Sequence, residues 1–162
     1  MPEIIEEHGG RPVRTRVGHS FIKQTMADTD AVFGGEHAGV GAPEVAEVVV
    51  RGVLAALHLL AALGTQEAPL SALMADYDRY AASGEINSTV ADQAAATAQV
   101  RSAFADRADF DELDGLTAAL QDGSWFNLRA SNTEPLLRLN VEGADEATMG
   151  RVRDEVLAAI RS

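Results

Sequence analysis

Three strand-length runs, LTAAL (residues 116–120), WFNLR (125–129) and LLRLNVE (136–142), follow one another with only QDGS between the first and second. Asp122-Gly123 within that gap is a hairpin turn signal, because such turns need the positive φ that glycine adopts without steric cost. A connection this short joins only antiparallel neighbours, since a parallel pair needs a crossover of a dozen residues or more. The second half of the chain is therefore expected to be an antiparallel sheet.

The segments around these runs supply the rest of a domain. Residues 85–90 read as a further strand, and Asp92 as the cap of a helix reaching to about residue 105. DFDELDG, residues 109–115, reads as a polar loop. A last helix is expected after Asp145, with Met149, Val152, Val156 and Ile160 along one side. The order strand, helix, three strands, helix implies an α+β fold, a sandwich of helices on an antiparallel sheet.

The first half reads differently. GGRPVRTRVG, residues 9–18, is a short strand candidate; a helix opens at His19 and ends by residues 28–30; residues 31–33 form a second strand running into the glycine-rich GGEHAG. Pro43 and Glu44 suit the first turn of a long helix, with Val45, Val48, Val49, Val53, Leu57 and Leu60 at helical spacing and Gly64 after its end. His58 within it is expected in the core or at its boundary. A second helix is expected over residues 70–82, closed by Ser83-Gly84. The expected division is residues 1–83, an incomplete α/β piece, and residues 84–162, the antiparallel domain. So few strands before Gly39 predict an open sheet edge able to pair with another copy.

Composition narrows the function. The net charge of −12 argues against a nucleic-acid or membrane-surface binder, both of which need a basic footprint. The absence of cysteine removes disulfides and thiolate metal sites. MPEIIEEHGG is no apolar signal segment, and residues 48–63 are interrupted by Arg51, Gly52 and His58, so a cytoplasmic protein is expected.

Against that acidic background, local basic clusters stand out. Arg129 and Arg138 bracket Ser131, Asn132 and Thr133 in RASNTEPLLR. Arginine grips phosphate bidentately, and the small polar residues add donors. The same loop also reads as a strand connection whose side chains bond their own backbone. Arg14, Arg16, His19 and Lys23 either line an anion pocket at a helix start or form a solvated basic patch. In GGEHAG, Glu36 can accept sugar hydroxyls and His37 can donate or accept; the alternative is a plain turn. Asp109, Asp111 and Asp114 have the wrong spacing for a calcium loop, with Leu120 where the closing glutamate belongs. Trp125 and Phe126 are expected to pack against the sheet and its helices.

In order, GGRPVRTRVGHSFIK, AVFGGEHAG, YAASGEIN and DGSWFNLRASNTEPLLRLNVEG resemble the C-terminal part of bacterial phosphomannomutase/phosphoglucomutase, of the α-D-phosphohexomutase superfamily. The resemblance covers nearly the whole chain. It implies the end of a sugar-reading α/β third domain followed by a phosphate-gripping fourth domain, with a four-stranded antiparallel sheet and helices packed on one side. It assigns the sugar hydroxyls to Glu36, the cleft lining to His19 and Lys23, and phosphate contacts to Arg129, Ser131, Asn132 and Thr133 with Arg138 in support; Arg14 and His37, from the residue reading above, are expected beside them as substrate contacts. The implied ligand is a mannose or glucose 1- or 6-phosphate. The family's phosphoserine loop and Mg²⁺-binding aspartates have no counterpart in this sequence, so no cofactor is assigned to the chain. Phosphoryl transfer needs both, which implies a chain that binds sugar phosphate and is inactive alone. Ala38 and Val40 stand where the family has a serine and a histidine. The alternatives are a non-catalytic sugar-phosphate module and a dimerising interaction protein; the implied partners are a second copy or a separate N-terminal half.

Overall fold

The computed structural model describes residues 2–35, 56–75 and 77–161. They fall into two compact units: Met1–Val13 with Met26–Arg79, and Arg14–Thr25 with Tyr80–Ser162.

The second unit is built on one antiparallel sheet. Its strands are β1 (Ala81–Ala82), β2 (Ile86–Thr89), β3 (Ala108–Asp111), β4 (Leu116–Leu120), β5 (Trp125–Ala130) and β6 (Leu136–Gly143), in the order β1-β6-β5-β4-β3 with β2 also on β6. β1 meets the end of β6 (Ala82 opposite Glu142), and β2 meets its beginning (Ile86 opposite Leu139). They therefore form one edge, interrupted at Ser83-Gly84. There Ser83 N–H donates to Val141 O (2.9 Å), its Oγ accepts from Val141 N (3.0 Å), and Gly84 takes φ +66°. Leu120 N–H donates to Ser124 O and Gly123 N–H to Leu120 O, with Gly123 at φ +83°, so the expected hairpin turn is present.

Alternation decides the two faces. In β6, Leu137, Leu139 and Val141 are buried; in β4, Leu116, Ala118 and Leu120; in β5, Phe126 and Leu128. Helices α5 (Gln93–Ala103) and α6 (Glu146–Arg161) cover that face with Ala96, Val100, Val152, Val156 and Ile160. Phe104, just past α5, meets Phe126 edge-on with ring centroids 4.9 Å apart. Gly143 is required by α6, since a Cβ there would lie 2.8 Å from Met149 N. The opposite face carries Asn127, Arg129, Arg138, Asn140 and Glu142. Trp125 lies on it too, donating from Nε1 to Glu142 Oε2 at 3.0 Å, so it packs away from the helices that Phe126 meets.

In the first unit, α1 (Pro2–Glu7) ends with Gly9 at φ +77° and a bond from Gly10 N to Ile5 O (2.8 Å). Arg79 forks onto the Glu7 carboxylate at 2.6 and 2.7 Å. Helix α2 (His19–Thr29) begins in the second unit and ends in the first. It stops because Asp30 turns left-handed (φ +56°), with Ala31 N–H reaching back to Met26 O. Residues 56–64 are helical (α3), followed by α4 (Leu70–Ala75).

Several expectations change. Residues 9–18 and 31–33 are not strands: with Gly9 and Gly18 at positive φ and no partner strand among the described residues of the first unit, their backbone takes irregular paths. The sheet edge expected to pair copies is therefore not found in those residues. The helix expected over 70–82 ends at Ala75, and residues 81–82 are drawn into the sheet by β6. Residues 109–111, expected within a polar loop, join Ala108 in β3, a further row beside β4. His58 is exposed. The first half of the long helix, from Pro43 to Val53, lies outside the described residues.

Candidate functional site

The loop between β5 and β6, residues 131–135, projects from the end of the sheet. Asn132, Thr133, Glu134 and Pro135 are exposed. Ser131 N–H donates to Leu136 O (2.9 Å) and closes the loop; Leu136 N–H donates to Glu134 O (2.8 Å) and tightens it. The side chains of Asn132 and Thr133 make no hydrogen bond within the described residues, so the reading in which they bond their own backbone does not describe this loop.

The two arginines are brought together by register. Arg129 and Arg138 are direct cross-strand partners on β5 and β6, on the face without helices. Like charges placed opposite one another are unfavourable unless anions balance them. Each has one carboxylate nearby and neither carboxylate is close: Asp114 Oδ2 is 3.6 Å from Arg129 Nη1, and Glu85 Oε1 is 3.8 Å from Arg138 Nη1. Both distances exceed a hydrogen bond. Arg138 Nε is buried with no acceptor among the described residues. The pair thus keeps guanidinium donors that no acceptor among the described residues satisfies.

The turn between β3 and β4 positions this face. Gly115 takes φ +72°, and a Cβ there would lie 2.6 Å from Leu128 O and 3.1 Å from Arg129 Cβ. Only glycine lets the turn lie so close to β5. Asn127 Nδ2 donates to Asp114 O (2.8 Å) and Thr117 Oγ1 (3.0 Å), locking it. Asp114 Oδ2 also accepts from Val17 N–H (3.3 Å), and Asp111 Oδ2 from Arg14 Nη1 (2.6 Å). Asp111 and Asp114 thus tie Arg14–Thr25 to the sheet that carries Arg129.

Of the other expected contacts, Arg14 is exposed and committed to Asp111. His19 and Lys23 lie one turn apart on α2, both half-buried and both with interaction partners. Glu36 and His37 lie outside the described residues. Arg16, read with this cluster, stacks over Phe21 at 4.6 Å. No group of three or more histidine, aspartate and glutamate side chains among the described residues is placed to hold a metal ion. Two residues escaped the sequence reading. Asp114 looked like one member of a polar loop. Gln93, which reaches from α5 to the loop carbonyls, belongs to none of the motifs in the sequence.

Comparison with known proteins places these observations. The family model "Phosphoglucomutase/phosphomannomutase, alpha/beta/alpha domain III" matches residues 1–80, and "Phosphoglucomutase/phosphomannomutase, C-terminal domain" matches residues 85–159. A phosphomannomutase of Methanocaldococcus jannaschii is 40% identical over 156 residues, covering 96% of this chain and 34% of its own length. A phosphomannomutase of Escherichia coli is 36% identical over 163 residues, covering 98% and 35%. A phosphoglucomutase/phosphomannomutase family protein from Burkholderia thailandensis superposes with a TM-score of 0.73 over 99% of this chain and 34% of that one, at 24% identity, which shows a shared fold. The chain spans about a third of the length of the curated relatives it matches.

Proposed function

We propose that this chain, which belongs to the phosphoglucomutase/phosphomannomutase family, grips the phosphate group of a hexose phosphate with the β5–β6 loop and its two flanking arginines. The supporting observation is the cross-strand pair Arg129 and Arg138, whose carboxylate neighbours stand too far off to saturate them. A phosphate would accept charge-assisted bonds from Arg129, with Arg138 adding positive potential. Ser131, Asn132 and Thr133 would supply further donors from side chain and backbone. Arg14, His19, Lys23, Glu36 and His37 would contact the rest of the sugar phosphate. Mannose and glucose 1- or 6-phosphates are the ligands this reading names.

Binding is the limit of what this chain does alone. Moving a phosphoryl group needs a nucleophile to take it and positive charge on its oxygens. The sequence contains no serine-histidine-asparagine loop, and the described residues hold no metal cluster. The remaining two thirds of the relatives' length would have to supply those parts for the reaction to proceed.

Isothermal titration with glucose 1-phosphate and mannose 6-phosphate tests the reading. Wild type should release heat, and Arg129→Ala should weaken binding about tenfold or more, since hydrogen bonds to charged groups contribute ~1.5–3 kcal/mol. Equal binding by Arg129→Ala would remove the phosphate assignment. Mutase turnover by the lone chain would contradict the claim that it only binds.

A further inference from the structure

We propose that Gln93 is a positioning residue for the anion site: its side-chain amide fixes the β5–β6 loop so that the Asn132 N–H faces outward, toward a bound phosphate. The inference rests on the phosphate reading of that loop and deepens it.

Gln93 stands at the first position of α5, after its cap Asp92. Its Nε2 lies 3.2 Å from Ser131 O, 3.0 Å from Glu134 O and 2.9 Å from Leu136 O. One amide group thus gathers the carbonyls at both ends of the loop. A second donor from the same corner, Val90 N–H, holds Pro135 O at 3.1 Å. Gln93 itself is firmly placed: Asp92 Oδ1 accepts from Ala95 N (3.0 Å), and Thr97 Oγ1 donates to Gln93 O (2.7 Å).

The consequence follows from peptide geometry. In a trans peptide the C=O and the following N–H point in opposite directions. With Ser131 O drawn toward Gln93, the N–H of Asn132 points the other way. That N–H makes no hydrogen bond within the described residues. Freed of Gln93, the Ser131–Asn132 peptide could rotate and the donor would lose its aim. Directed donors bind an oxyanion better than mobile ones because their ordering is already complete before the ligand arrives.

The test uses the full chain and two near-isosteric variants. Gln93→Met keeps length and removes the donors. Gln93→Glu suits the first turn of a helix, where negative charge is favourable, yet opposes three carbonyl oxygens. Amide exchange by NMR without ligand reads the loop, and titration with glucose 1-phosphate reads the site. In both variants the Ser131 amide should exchange at least tenfold faster, while α5 and β4 amides keep their wild-type rates. The downfield movement of the Asn132 amide proton on ligand addition should shrink, and affinity should fall about fivefold or more. Wild-type exchange at Ser131 in both variants would overturn the inference whatever the ligand does. Faster exchange with wild-type affinity would overturn it as well, leaving Gln93 a merely structural clamp. If wild type shows no ligand response while exchange rises in the variants, the phosphate reading fails and the inference falls with it, although the clamp itself is real.

Discussion

At the scale of single residues, the candidate site depends on where charge is left unbalanced. Asp114 is the nearest counter-charge to Arg129, at 3.6 Å with both side chains partly exposed. Such pairs contribute ~0.2–1 kcal/mol. Asp114→Asn keeps an oxygen for Val17 N–H but frees the guanidinium from competition. Affinity for glucose 1-phosphate should rise about two- to fivefold by titration at low salt; a fall would mean that Asp114 instead aims Arg129 at the ligand. Gly115 is a second sensitive position. Gly115→Ala would force a Cβ against Leu128 O at positive φ, a strain costing ~1–3 kcal/mol. Its denaturation midpoint should drop, and phosphate binding should weaken because the displaced backbone is that of Arg129. The residue types of RASNTEP mark a polar loop between two arginines, and its assignment to phosphate comes from the family resemblance. Gln93 was not legible, since a glutamine one residue after a helix cap carries no local mark of what it reaches.

At the scale of elements, the helices are held by their starts. Asp92 caps α5 through Ala95 N, and Asp92→Ala should cost ~1 kcal/mol in urea unfolding. Asp145 does the same for α6: the bond from Thr148 N–H, chiefly, holds its carboxyl below the usual carboxylate range. Asp122 at the hairpin is also lowered, first by its bond from the Ser124 hydroxyl, then by the Ser124 N–H. A carboxyl with a depressed folded pKa favours folding above the unfolded value and loses that advantage as pH falls through the folded one. Melting temperature should accordingly hold from pH 7 to about 5 and decline below about 4, the unfolded carboxylate range. Asp145→Asn and Asp122→Asn should each flatten that decline; an unchanged acid slope in both would show that other carboxylates dominate it. The strands with a sharp turn or a helix boundary beside them were readable. β3 was not, because Ala108–Asp111 shows its strand character only through pairing with β4.

At the scale of the whole molecule, apolar burial among the described residues is unevenly distributed. Among the described residues, every fully buried apolar side chain lies between Ala96 and Ile160, in the second unit. Several described apolar residues of the first unit are exposed, Phe33 at 76%, Leu57 at 55% and Leu60 at 61%, while Ile4, Met26 and Leu63 are half-buried. Regions that bury little apolar surface open at low free energy. The sole tryptophan, Trp125, sits in β5 and reports the second unit. Guanidinium unfolding should therefore show helical circular dichroism beginning to fall before Trp125 fluorescence changes. Coincident curves would show the two units melting as one. Within the second unit, Phe126→Ala should cost ~3–5 kcal/mol, because Phe126 is wholly buried against Phe104 and the cavity cannot collapse onto a sheet.

The sequence by itself determined what short-range chemistry can specify: the Asp122-Gly123 reversal, the apolar stripe of α6, the caps of both helices and the polar loop between two arginines. Those signals act within a few residues and survive any context. Tertiary structure decided the rest. It turned residues 81–82 from helix to sheet by offering β6 as a partner, denied strand to residues 9–18, and put Arg129 opposite Arg138 with Gln93 behind the loop. Each of these outcomes depends on whether a hydrogen-bonding or charged partner distant in sequence is present, and no local window contains that.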